Sequence, residues 1–211
     1  MNKLTTLLAS VLLTATCTVS FASQASLPSE KVYDTGENIP KPMIMSRFIE
    51  MTKARKVNEV PLTSLDGETV KLSDYRGKLV VMNLWATWCA PCIKEIPMME
   101  KIRQDNINND LVVMPVSIDE EYDKVAAFLT RHKLDGYPTL IDPQAQIENM
   151  VPLNVVPATY VFDGEGNLVG FLRGYLDWGD KEVQPYLEQL TAKYANPTTF
   201  SNAQSRGASA E

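Results

Sequence analysis

Residues 78–85 form an almost uninterrupted apolar run, and this run constrains the fold of the chain more than any other feature. A strand with one face in solvent alternates apolar and polar residues, and this run does not alternate. Continuous apolar runs of this length are typical of strands buried on both faces, at the centre of a sheet that is covered on both sides. The run therefore predicts the central strand of an α/β fold.

Strand and helix patterns alternate on both sides of this run. Strands are predicted at residues 60–65, 69–72, 111–118, 139–141, 158–162 and 168–172, and the first two and the last two of these form hairpins. Helices are predicted at residues 89–106, 120–132 and 180–194, with a short helical segment at 144–150. Parallel strands separated by helices, then an antiparallel hairpin and a closing helix, predict a three-layer α/β/α sandwich.

The first 25 residues have the pattern of an export signal. Lys3 provides a short positive region, residues 4–21 are mostly apolar, and small residues offer cleavage sites after Ala22 and Ala25. Two alternatives stay open at this point: an uncleaved membrane anchor formed by residues 4–21, and lipidation of Cys17. Cleavage would remove Cys17 and leave two cysteines in an exported, oxidising compartment.

Two segments flank the α/β pattern, and both have the composition of irregular chain. Residues 26–42 are polar and punctuated by proline, which predicts a linker. Residues 196–211 are rich in Ser, Asn, Ala and Gly, which predicts a disordered tail.

Residues 43–56 predict a short helix, because Ile44, Phe48 and Met51 recur at a spacing of three to four residues. The methionines of this segment allow two interpretations. They form either an apolar face that packs on the domain or a soft metal site, the candidate ligands being Met43, Met45 and Met51.

Cys89 and Cys92 are separated by two residues and follow the central run directly. At the start of a helix, both sulfurs would lie near unpaired N–H groups and the positive end of the helix dipole, which stabilise a thiolate. Such a pair serves redox chemistry, metal binding or structure. A structural disulfide that closes so small a ring stabilises the fold little. A zinc site needs further Cys or His ligands, and His132 is the only histidine.

The charge of the chain argues against one class of partner. The formal net charge is -6 and the sequence pI is about 4.9. Nucleic acid requires a basic face that neutralises phosphates, so no nucleic-acid partner is expected.

Several motifs together resemble the thioredoxin superfamily, and most closely its TlpA/ResA-like branch of exported thiol–disulfide oxidoreductases, with the TlpA family nearest. They are the sequence from Asn83 to Cys92, the following Glu95-Ile96-Pro97, the approach at residues 72–78, the Val156-Pro157-Ala158-Thr159-Tyr160 run and the turn at residues 163–166. The resemblance covers residues 57–194. It implies a thioredoxin fold with an N-terminal β-hairpin and a central βα insertion, in a domain at residues 57–195.

The resemblance also implies roles for individual residues. Cys89 is the expected nucleophile and Cys92 the resolving thiol, and the two form a redox-active disulfide. Pro157 is expected to follow a cis peptide bond, and the expected docking surface for a partner consists of Trp88, Pro91, Val156 and Pro157. No cofactor and no metal ion are implied.

Two departures from the wider superfamily bear on mechanism. Many thioredoxins have a buried aspartate at the position of Asn83, and asparagine cannot titrate. Glu95, three residues after Cys92 on the same helix, is the available carboxylate for proton transfer, and a solvated or ion-paired helix charge is the alternative. The run at residues 150–155 is apolar, whereas reductants of cytochrome c maturation often carry acidic residues there.

The cysteine motif and the resemblance together predict a protein-disulfide reductase, and the export signal together with the resemblance implies a bacterial periplasm. The resemblance also implies the partners: disulfide-containing exported proteins, in the maturation of cytochrome c or of the copper sites of cytochrome oxidase, and a membrane-embedded electron donor. A thioredoxin-fold copper chaperone and a net dithiol oxidase are the alternatives.

Overall fold

The computed structural model describes residues 27–28 and 30–197. The predicted signal or anchor and the predicted tail beyond residue 197 therefore lie outside the described residues. Within them the strands are β1 Lys31–Asp34, β2 Ile49–Arg55, β3 Leu62–Ser64, β4 Thr69–Val70, β5 Leu79–Trp85, β6 Leu111–Ser117, β7 Leu140–Ile141, β8 Ala158–Phe162 and β9 Leu168–Arg173. The α-helices are α1 Ala90–Asp105, α2 Tyr122–Arg131 and α3 Val183–Tyr194.

The described strands form one mixed sheet with the order β1-β2-β9-β8-β5-β6-β7-β3-β4. All seven residues of β5 are buried, as the apolar run predicts. β5 pairs in parallel with β6 and antiparallel with β8. The prediction of an α/β thioredoxin fold is confirmed, and both predicted hairpins, β3–β4 and β8–β9, are present.

Two apolar layers pack on opposite faces of the sheet. On one face, Leu79 and Val81 of β5 contact buried side chains of α1 and α3. On the other face, Val80, Met82 and Leu84 pack against residues 147–151 and the β3–β4 hairpin. That second layer contains 3₁₀ helices at Leu72–Tyr75 and Ile147–Asn149. The second of these is shorter than the helical segment that the sequence predicts at residues 144–150.

The prediction of a helix at residues 43–56 is wrong. The prediction that residues 26–56 consist of a linker and a short helix is wrong as well. The segment forms a 3₁₀ turn at Met43–Met45 followed by β2, and β1 lies within the predicted linker. β1 and β2 extend the sheet beyond β9. The helical spacing was misleading because Phe48 is buried next to the 3₁₀ turn, whereas Met51 belongs to β2, in which Glu50 and Ala54 are the buried residues.

The register of the strands brings four chain segments to one end of the sheet. Ala158 at the start of β8 is opposite Leu84 near the end of β5, and Arg173 at the end of β9 is opposite Ala158. Ile49 at the start of β2 is opposite Phe171. We call this the upper end of the sheet. Loops from β2, β5, β8 and β9 therefore meet there.

The lower end of the sheet is closed by a contact that leaves no room for a side chain. The N–H of Gly164 donates to the carbonyl of Tyr194 at 2.9 Å. A Cβ at residue 164 would lie 1.7 Å from the carbonyl oxygen of Ala195. Glycine thus allows the end of α3 to pack directly on the β8–β9 turn.

Candidate active site

The two cysteines lie where β5 ends and α1 begins, at the upper end of the sheet. They form a disulfide with a Cα–Cα distance of 5.2 Å. Cys89 is the N-cap residue of α1, and its Sγ accepts a hydrogen bond from the N–H of Cys92 at 3.2 Å. Cys89 is 5% exposed and Cys92 1% exposed. Cys89 is thus the more exposed of the two residues, and its sulfur has a backbone donor directed at it.

The residues around the pair separate into exposed and buried groups. Trp88 is 68% exposed and Pro91 is exposed in the first turn of α1. Trp85 is fully buried, and its Nε1–H donates to Thr139 Oγ1 at 2.8 Å. Trp88 and Pro91 therefore lie on the surface beside the sulfurs, whereas Trp85 packs beneath them.

The Val156–Pro157 peptide bond is cis. Pro157 is buried and its carbonyl accepts a hydrogen bond from Gly174 N–H at 2.8 Å, which fixes the entrance to β8. Val156 is half-buried and packs against the apolar cluster that contains Cys89 and Cys92. The fold thus brings together the loop before β8 and the cysteine pair, which are more than 60 residues apart in sequence.

Glu95 is a buried carboxylate on α1, only 1% exposed. Its Oε1 accepts the N–H of Leu176 at 2.7 Å, and its Oε2 accepts the Asn83 side-chain amide at 3.3 Å. Asn83 also donates to Thr159 Oγ1 at 3.1 Å, and its Oδ1 is buried without a hydrogen-bond partner among the described residues. This arrangement excludes a solvated helix charge at Glu95.

The environment of Glu95 favours its neutral form. Burial raises its pKa to about 7, because a carboxylate loses its hydration in the interior. The hydrogen bonds from Leu176 and Asn83 and the positive charge of Arg47 lower the pKa by less. Glu95 lies one helical turn after Cys92 on the same side of α1. A group with a pKa near neutrality is therefore close to the buried sulfur.

Two residues that support the site, Asp119 and Arg47, were not predicted from the sequence. Asp119, just after β6, accepts hydrogen bonds from the N–H of Thr87 at 2.9 Å and from its Oγ1 at 2.6 Å. These bonds hold the turn that leads into Cys89. A polar residue directly after a buried strand is the signal that could have identified Asp119.

The second missed contributor is Arg47, in the segment predicted to be helical. Its guanidinium donates to the carbonyls of Arg173 and Tyr175, at 3.4 Å for the first. It thereby supports the loop whose Leu176 N–H contacts Glu95. No local pattern could have identified Arg47, because the contact spans more than 120 residues.

Neither a metal centre nor a membrane span is found in the part of the chain that the structure describes. No group of three or more His, Cys, Asp or Glu side chains is arranged there to hold a metal ion. None of the helices described is both long and apolar enough to cross a bilayer.

The chain is similar to known thiol–disulfide proteins over the part that contains the cysteine pair and the sheet around it. The model of the AhpC/TSA family matches residues 54–170. The thiol–disulfide oxidoreductase ResA of Geobacillus kaustophilus is 32% identical over 146 residues, which are 68% of this chain and 82% of that protein. ResA of Bacillus cereus is 27% identical over 146 residues, 69% of this chain and 83% of that protein. Among solved structures, the exposed lipoprotein thioredoxin of Streptococcus pneumoniae matches with a TM-score of 0.53 and 27% identity, over 63% of this chain and 99% of that one.

Proposed function

The chain belongs to the AhpC/TSA family and is a thiol–disulfide oxidoreductase of the thioredoxin superfamily, and from this premise we propose that it reduces disulfides of exported partner proteins. One observation carries the proposal. Cys89 caps α1 and its sulfur accepts the N–H of Cys92. In the reduced protein the same donor and the helix dipole favour a thiolate at Cys89, which is the species that attacks disulfides.

In the first step, the Cys89 thiolate attacks one sulfur of a partner's disulfide. The partner's S–S bond breaks, a mixed disulfide forms, and the leaving thiolate of the partner takes up a proton. In the second step, Cys92 attacks the Sγ of Cys89, and the partner leaves with both cysteines reduced. Two electrons have moved to the partner, and the protein has returned to the Cys89–Cys92 disulfide.

Glu95 is the proposed proton acceptor for the second step. Cys92 is buried, so its thiol requires a nearby base before it can attack the mixed disulfide. A carboxylate with a pKa of about 7 is partly ionised at neutral pH and can take this proton. Asn83 cannot titrate, and its amide donates to the ionised carboxylate instead.

Trp88, Pro91, Val156 and Pro157 are the proposed docking surface. The exposure of Trp88 and Pro91 supports this role. The backbone N–H and C=O of Val156 take part in none of the hydrogen bonds found among the described residues. They are available to an extended segment of the partner, in the manner of strand addition.

We further propose a periplasmic location and partners in the maturation of cytochrome c or of cytochrome oxidase copper sites. Both kinds of maturation need reduced cysteines on an exported protein before haem or copper is attached. The names of the ResA relatives support the redox class of the protein. Regeneration requires two electrons per turnover, and a membrane-embedded dithiol donor is the proposed source.

Trapping of partners tests the two cysteine roles. The variant Cys92→Ala should accumulate mixed disulfides through Cys89 in the native compartment, because the resolving thiol is missing. Cys89→Ala is the matched control and should trap none. Equal trapping by both variants would contradict the assignment.

The two alternatives have their own tests. A reduction potential well below about -200 mV supports a reductant, and one near about -120 mV supports an oxidase. The copper chaperone requires the reduced thiolates to hold Cu(I), which suits soft sulfur ligands. Copper titration of the wild type against Cys89→Ser rejects that alternative if no stoichiometric, cysteine-dependent binding is found.

A further inference from the structure

A groove of about 610 Å³ lies on the surface beside the cysteine pair, between the start of α1 and one face of α2. Its wall on the α1 side includes Trp88, which directly precedes Cys89, and Ile93. Its lining on the α2 side consists of Lys124, Ala127, Phe128, Arg131 and His132. These five residues occupy positions i, i+3, i+4, i+7 and i+8, so they form one continuous stripe along the helix.

The groove combines an apolar floor with a cationic rim. Phe128 is 8% exposed and its ring stacks on the His132 ring, with centroids 4.2 Å apart. Lys124 and Arg131 are exposed at the rim. No carboxylate is among the described residues that line the groove, although the formal net charge of the chain is -6. The charge of this surface is therefore opposite to that of the protein as a whole.

One neighbouring acid modifies this charge without cancelling it. Lys124 Nζ lies 2.5 Å from Glu121 Oε1, and both side chains are about two-thirds exposed. An ion pair in solvent is weak and is readily exchanged for another partner. Arg131 makes no salt bridge with another described residue. Two cations thus remain available beside the apolar floor.

We propose that this groove binds an acidic segment of the partner protein, carrying one apolar side chain and lying next to the disulfide that is reduced. The inference rests on the proposed function and adds a substrate class to it. The carboxylates of the segment pair with Lys124 and Arg131, and its apolar side chain packs on Phe128 and Trp88. Opposite charges also steer the encounter, so the effect belongs to the association step.

Three synthetic peptides test the inference on the full chain. They share one cystine core and one apolar residue, and their flanks are acidic, neutral or basic. In dilute salt, we expect kcat/KM for the acidic peptide to exceed that for the basic peptide by at least about tenfold. The ratio should fall toward one as salt rises to about 1 M, where screening acts over about 3 Å.

Charge reversal at the groove provides the matched comparison. The double variant Lys124→Glu/Arg131→Glu should reverse the preference between the acidic and basic peptides. The control Lys56→Glu/Lys71→Glu makes the same change in net charge at exposed sites outside the groove, and should keep the wild-type preference. Circular dichroism of each variant reports whether it is folded.

The outcomes separate this inference from the proposed function. Equal rates for the three peptides, or an equal change in both double variants, would overturn the acidic-segment inference and leave the reductase intact. A wild type that reduces no peptide faster than Cys89→Ser would overturn the proposed function, and the inference with it.

Discussion

Glu95 combines a deep location with a titratable side chain, and it is the residue for which we propose a part in proton transfer. Sequence alone identified it as the available carboxylate but left open whether it was solvated. Its burial depends on the loop that donates the Leu176 N–H, 81 positions away. No pattern near Glu95 carries that information, because the covering residues come from the other end of the domain.

The raised pKa of Glu95 makes stability depend on pH. Below about pH 4.5 the carboxyl is protonated in both the folded and unfolded states. As pH rises, the unfolded chain loses this proton first, so the contribution to stability falls until the folded carboxyl also ionises near pH 7. The total loss is about 3 kcal/mol.

Glu95→Gln should remove this dependence in the oxidised protein. Urea denaturation between pH 4 and 8, on wild type and variant, measures it. The wild type should lose about 3 kcal/mol relative to the variant over this range. A difference that does not change with pH would contradict the raised pKa.

Asn83→Asp should raise the pKa of Glu95 further. A second carboxylate would then replace the amide that donates to Oε2 at 3.3 Å, and two like charges in one buried site cannot both ionise easily. The pair should titrate as a coupled unit, with one proton retained well above pH 7. Carboxyl-carbon NMR titration measures it. Asn106→Asp is the matched control, since Asn106 is also buried but bonds to Ile102 and Gln184 instead.

At the scale of elements, the strands that were predicted correctly from the sequence are those whose apolar pattern lies within the strand itself. β5, β6 and β8 are mostly apolar, so they can be recognised without knowledge of their neighbours in the sheet. β2 differs, because its polar and charged residues become a strand only by pairing with β9. Its buried Glu50 accepts hydrogen bonds from Ile39 N–H, Lys193 and Tyr194. Pairing and burial of this kind arise from tertiary structure.

The contact between β9 and the β2 segment predicts a large cost for a small substitution. In Gly170→Ala, the new Cβ would lie 2.4 Å from Phe48 Cζ and 3.0 Å from the carbonyl oxygen of Ile49. The Phe48 ring is buried against Tyr186, so it cannot move aside freely. We expect a loss of about 1–3 kcal/mol in the free energy of unfolding.

A double-mutant cycle measures whether that cost arises from the Phe48 ring. Gly170→Ala should cost less in a Phe48→Ala background, because the smaller side chain leaves room for the new methyl group. Additive effects of the two substitutions would show that the clash lies elsewhere.

The β2 segment also affects Glu95 through Arg47. The positive charge of Arg47 lowers the pKa of Glu95, so Arg47→Ala should raise that pKa. Lys53→Ala is the matched control, since Lys53 lies on β2 and pairs with Asp34 at the surface. NMR titration of Glu95 in both variants tests the prediction. An equal rise in both would attribute the effect to loss of net charge instead.

At the scale of the whole molecule, the family-like core was predictable because its motifs are contiguous. The cysteine motif and the run from Val156 to Tyr160 each lie within a few residues of sequence. Three further features were not predictable in the same way. Arg47, the Glu95 environment and the groove on α2 all depend on which segments the sheet brings to its upper end.

Residues near the two ends of the described chain lie close to each other in the structure. Glu30 and Lys31 line a cavity of about 850 Å³ at the lower end of the sheet, with Glu165 and Pro197. The sulfurs lie at the opposite, upper end of the sheet, so attachment at either end of the chain should leave them accessible to a partner. The protein can be immobilised on beads either through residues before 27 or through residues after 197. With both attachments it should react with a soluble disulfide at the same rate. Slower reaction with one of the two attachments would contradict this geometry, in which the sulfurs lie at the end of the sheet opposite both attachment points.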